Sequence, residues 1–105
     1  MEPDDPDIQI NVAELYVSQG KPEAAGRLFA KNVSRTKLDW EDYFVYGEAL
    51  AATEDYPQAE SVLRKSISID GKRPQPHLVL AKVLRALHRD PEARQEDQQA
   101  ATLEK

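Results

Sequence analysis

Cysteine is absent, so no disulfide, thiolate metal site or cysteine nucleophile can be built from this sequence. Glycine is scarce, with four in 105 residues, which disfavours strands joined by tight hairpins. No apolar run approaches the length of a membrane-spanning helix. The opening Met-Glu-Pro-Asp-Asp-Pro-Asp is acidic where a secretory leader is basic, and a soluble, cytoplasmic protein is expected. Catalytic material is thin. Histidine occurs only as His77 and His88, no serine stands in a Gly-x-Ser-x-Gly turn, and there is no glycine-rich phosphate loop. The acids lack calcium-loop spacing, and pairs such as Glu41-Asp42 and Glu54-Asp55 read as exposed helix starts and turns. Neither an enzyme, a cofactor nor a metal is expected.

Basic residues are missing from one whole stretch. Asp39 to Glu60 holds seven acids and no Lys or Arg, whereas Lys72 to Arg94 holds six basic residues against two acids. The net charge of −5 argues against a general binder of nucleic acid or anionic membranes. What the chain does contain favours helix. Hydrophobic residues make up 40%, enough for a core, and Ala, Leu, Glu, Gln, Lys and Arg are plentiful.

The length is three times 34 plus three, and shifting the sequence by 34 brings like residues together. Ala25, Ala59 and Ala93 coincide, as do the small Ala13, Gly47 and Ala81. Val12, Tyr46 and Leu80 match as large apolar residues, and so do Tyr16, Leu50 and Leu84. Phe29 and Leu63 match, but their third partner is Asp97. Turn chemistry repeats at Gly20-Lys21-Pro22, Glu54-Asp55-Tyr56-Pro57 and His88-Arg89-Asp90-Pro91. Five columns in one register make a repeat.

Each unit reads as a helix, a short turn and a second helix. Ile8, Val12, Leu15 and Tyr16 fall at helical spacing up to Gly20, and Ala25, Leu28, Phe29 and Val33 follow from Pro22. Trp40 to about Thr53 and Pro57 to about Ile69 repeat the two patterns, and Pro74 opens the third unit. Asp39 and Asp90 are expected N-caps. Gly47 and Ala59 leave room for the helices of a pair to approach closely.

These columns resemble the tetratricopeptide repeat, whose pattern is W-x2-L-G-x2-Y, then A-x3-F, then P. The second unit carries Tyr43-x2-Tyr46-Gly47-x2-Leu50 with Ala59-x3-Leu63; the first carries Val12-Ala13-x2-Tyr16 with Ala25-x3-Phe29; the third carries His77-x2-Leu80-Ala81-x2-Leu84 with Ala93. The closing proline is replaced by Lys37 and Gly71. The resemblance implies an all-α superhelix, a solenoid of three antiparallel helix pairs. In this register a flexible acidic lead spans 1–5, and a repeat domain spans 6–105 as units 6–39, 40–73 and 74–105. The polar last helix reads as a self-capping end.

The same resemblance implies a concave side lined by the first helix of each pair. Residues expected to face it are Ile10, Asn11 and Glu14; Phe44, Val45 and Glu48; and Leu78, Val79, Lys82 and Arg85. Ile10, Phe44 and Leu78 would form an apolar stripe, and Lys82, Arg85 and Arg89 a basic face at the far end. The function implied is a protein-interaction scaffold that binds a partner's peptide segment with apolar and acidic character. A competing reading has the apolar residues packing helix on helix and Glu48 pairing with Lys82 at the surface. The positions used by relatives that clamp heat-shock chaperone C-termini hold Ile10, Glu14, Val45, Gln75 and Val79 here, so that subclass is set aside. Alternatives are a structural spacer or self-association unit and, a distant third, a helical array binding nucleic acid. His77 and Trp40 are expected to pack, Trp40 at the joint between the first two units.

Overall fold

A computed structural model describes residues 4–104 of the chain. Its order is α1 (Pro6–Ser18), α2 (Pro22–Asn32), α3 (Trp40–Ala52), α4 (Tyr56–Ile69), α5 (Pro74–Ala86) and α6 (Asp90–Leu103). No strand occurs among the described residues. None of these helices is long and apolar enough to cross a membrane. First helices start at 6, 40 and 74 and second helices at 22, 56 and 90, so both series advance by 34.

The turns explain why the period is so regular. Gly20, Glu54 and His88 occupy one column and all three take positive φ, at 75°, 64° and 62°. The next N–H in each case, from Lys21, Asp55 and Arg89, donates back to the carbonyl of Tyr16, Leu50 and Leu84 at 2.8, 2.9 and 2.8 Å. This is the Schellman closure of a helix. Glycine adopts it freely, whereas Glu54 and His88 hold it at a cost of roughly 1 kcal/mol each.

Helix starts are equally explicit. Asp5 accepts from the N–H of Asp7 and Ile8 at 2.8 and 3.3 Å. Asp39 and Asp42 form a reciprocal capping box at 2.9 and 3.0 Å. Asp90 does not cap its helix: Arg89 takes that position, and Asp90 lies inside the first turn, where its charge favours the helix dipole. Of the acidic lead expected over 1–5, residues 1–3 lie outside the described residues. Asp4 sits 3.6 Å from Lys31 Nζ and 3.3 Å from Arg35 Nη1.

Packing follows the columns. Ala13, Gly47 and Ala81 are fully enclosed, and so are Ala25, Ala59 and Ala93. A Cβ on Gly47 would stand 2.5 Å from Leu63 Cδ2 and 2.6 Å from its Cγ, so only glycine lets α3 and α4 come this close. Phe29 of α2 stacks on Tyr46 of α3 with centroids 4.9 Å apart, joining the first unit to the second. Each helix packs on the next, and α1 touches α3 as α3 touches α5, which produces the superhelical arrangement of helix pairs. Its extents are 45 × 25 × 23 Å.

The joint between the second and third units is pinned by polar contacts. Arg89 Nη1 and Nη2 meet Glu60 Oε1 at 2.6 Å and Glu92 Oε2 at 2.7 Å, and Arg64 reaches the same two acids. The Trp40 ring carries the Arg73 guanidinium 5.0 Å from its centroid and faces Phe44 at 6.2 Å, both contacts within its own unit.

Candidate functional site

The three first helices lie side by side, and the gap between them differs from joint to joint. Between α3 and α5 the surface opens into a cleft of about 330 Å³ lined by Glu48, Ala51, Ala52, Tyr56, Val79, Lys82, Val83 and Ala86. Six of these eight are apolar or aromatic, and three are alanines whose short side chains create the space. Glu48 and Lys82 supply its charge. Burial raises the Glu48 carboxyl above the ordinary range, and the Lys82 ammonium opposes that rise.

The same column behaves differently at α1. Glu14, the counterpart of Glu48, faces the α3 start, where Asp42 bonds it and Glu41 and Asp39 add further negative charge. Its carboxyl is pushed up to about 8, first by burial and then by Asp42 and the other two acids. A protonated Glu14 carboxyl can donate to Asp42, whose side chain bonds it. The groove thus runs from an acidic end to a mixed-charge cleft.

The expected groove residues divide three ways. Val79, Lys82 and Glu48 line the cleft. Phe44 and Val45 are half-buried along α3, Asn11 is exposed, and Leu78 is 39% exposed at the α5 end. Two are placed elsewhere. Ile10 is 4% exposed and joins the core cluster, because α1 packs directly on α3 there. Arg85 turns to α6, where it forms an ion pair with Asp97, the residue that replaced a large apolar side chain. Arg89 is taken up by Glu60 and Glu92, so the basic face expected from Lys82, Arg85 and Arg89 is dispersed over three directions.

Ala51, Ala52, Tyr56, Val83 and Ala86 were not anticipated as lining residues. Ala52 and Ala86 share one column, with Ser18 as its first member. Small residues at the exposed end of each first helix were the available signal. His77 is buried and held by polar partners: Nδ1 lies 2.7 Å from Glu96 Oε1, and Nε2 lies 3.1 Å from the Gly71 carbonyl.

No family model matches the sequence, and no curated protein sequence matches it. Solved structures do match the fold. The crystal structure of MamA superposes with a TM-score of 0.90 at 17% identity, over 97% of this chain and 60% of that one. The type III secretion translocator chaperone SycD of Yersinia enterocolitica, solved as an alternative dimer, gives 0.82 at 20% identity over 97% and 77%. PcrH, solved in complex with the chaperone binding region of PopB, gives 0.84 at 16% identity over 98% and 83%. The chain spans about 60% of MamA's length. At these identities the likeness concerns the fold, and it is that of a TPR-like helical repeat.

Proposed function

We propose that this protein is an interaction module that seats a segment of a partner protein on its concave face, centred on the cleft between α3 and α5. The observation that carries this reading is the cleft itself: apolar, walled by alanines, and bordered by one acid and one base. A partner's large apolar side chain would bury there, and a partner's acidic group would find Lys82. Arg85 and Arg89 are already paired, so Lys82 is the cation this side of the groove offers to an incoming acid. The acidic end at Glu14 and Asp42 repels a carboxylate, which orients the segment. PcrH shares the fold and is solved with a region of its partner PopB, which supports segment binding on this architecture. We assign the module no catalysis, since its buried histidine is tied to Glu96 and Gly71.

The test uses a plug. Ala52 is exposed at the end of α3 and lines the cleft. Ala52→Trp fills that space without entering the core. Affinity capture with wild type and Ala52→Trp should show a partner that wild type retains and the variant loses, with Phe44→Glu/Leu78→Glu acting in the same direction. If both forms retain every captured protein equally, the cleft assignment fails.

A further inference from the structure

One buried titratable group has no part in the groove. His77 stands on α5 at 6% exposure, and each of its ring nitrogens faces an oxygen. Nε2 lies 3.1 Å from the Gly71 carbonyl, and Nδ1 lies 2.7 Å from Oε1 of Glu96 on α6. The repeat does not require this pair. The same two columns hold Gln9 with Leu28 in the first unit and Tyr43 with Val62 in the second. Only the third unit sets an imidazole against a carboxylate there.

The acceptors decide where the hydrogens are. A carbonyl oxygen only accepts, so Nε2 carries a hydrogen. An ionised Glu96 also only accepts, and contact at 2.7 Å needs a hydrogen between it and Nδ1. Imidazole is the stronger base of the two, so that hydrogen belongs to the ring. Without it a lone pair would face the carboxylate inside the protein, where side-chain exposure is 7% for His77 and 17% for Glu96. The neighbouring charges are engaged elsewhere. In the α4–α5 connection Asp70 pairs with Arg73 at 3.0 Å and feels the Lys72 charge. On α6, Glu92 meets Arg64 and Arg89, and Asp97 meets Arg85. Among the described residues, α3 and α4 put no ionisable side chain in hydrogen bond or ion pair with the ring.

We propose that His77, Gly71 and Glu96 form a proton-dependent clasp, which fastens α6 and the α4–α5 connection to α5 and loosens as pH rises past the ordinary imidazole range. An opened α6 gives up the ring proton in that range, whereas the closed form keeps it. The clasp is therefore complete below the range and lost above it. The third unit leans on it because α6 has little else. The buried residues of α6 are two alanines, Ala93 and Ala100. Its ion pairs through Glu92 and Asp97 are partly exposed, so water weakens them.

Two measurements on the full chain test the clasp. Long-range nitrogen–proton spectra of the His77 ring at pH 7 should show hydrogen on both nitrogens, and a ring with one bare nitrogen overturns the proposal. Amide hydrogen exchange, corrected for its intrinsic pH dependence, reads the consequence. Protection of α6 relative to α3 should fall about tenfold from pH 6 to pH 9. Glu96→Gln replaces the carboxylate by an amide that donates to Nδ1 of a neutral ring, so its α6 protection should stay level over the same range. His77→Gln, which installs the residue of the first unit, should be level too, and circular dichroism checks that both variants keep their helices. Equal falls in wild type and Glu96→Gln overturn the proposal, as does wild-type protection that does not change with pH.

Discussion

The joint between the first and second units and the joint between the second and third are built from the same columns with opposite physics. The first is closed: Phe29 stacks on Tyr46, Ile10 is buried, and Glu14 meets the acids at the α3 start. The second is open on its concave side, where Glu48 and Lys82 flank a cleft, and is held on the other side by the four-charge network of Glu60, Arg64, Arg89 and Glu92. A repeat sets where helices lie. The residue chosen in each column decides whether a joint stores stability or offers a surface.

Truncation should separate the two joints most strongly. Phe29→Ala at the closed joint should cost about 3–5 kcal/mol, since it empties a fully buried site beside Tyr46. Val79→Ala, half-buried in the wall of the open cleft, should cost about 1 kcal/mol. Denaturant midpoints give both values, and equal costs would break the contrast.

Acidity should act at the closed joint. The unfolded chain releases the Glu14 proton at the ordinary carboxyl value near 4.5, whereas the folded chain holds it to about 8. The folded state therefore binds the extra proton between these limits, and stability declines as pH rises through that window. The decline should be on the order of 1 kcal/mol once solvent screening is allowed for. Glu14→Gln should flatten it and stabilise the protein at pH 8, as read by urea denaturation across pH. Glu48 is raised by burial too, but Lys82 opposes the rise, so Glu48→Gln should flatten the profile less.

Salt should act at the open joint, and weakly. Arg89 and Arg64 are partly exposed, so Arg89→Met should lower the denaturant midpoint only slightly, and most at low ionic strength. Half-molar salt should shrink that difference. A cost that salt leaves unchanged would point to lost packing of the arginine stem instead.

Much of the fold was legible because it depends on local chemistry repeated at a fixed interval. Prolines at the first or second position of five of the helices, the Gly20, Glu54 and His88 turns, and the small columns all act within a few residues of themselves. The site was less legible because depth is not periodic. Ile10, Phe44 and Leu78 share a column, yet exposure climbs from 4% to 39% between the first and the last. Helical spacing put Lys82, Arg85 and Arg89 on one face, but acids on α4 and α6 drew two of them away. The Glu14–Asp42 contact joins two units at different columns, which self-alignment cannot display.

The central claim is that the open joint between α3 and α5 is where a partner binds. Quantitative affinity capture comparing wild type with Ala52→Trp tests it directly, provided thermal unfolding shows the two equally stable. The account predicts at least one partner held by wild type and lost by the plugged form; identical retention of every partner by both would contradict it.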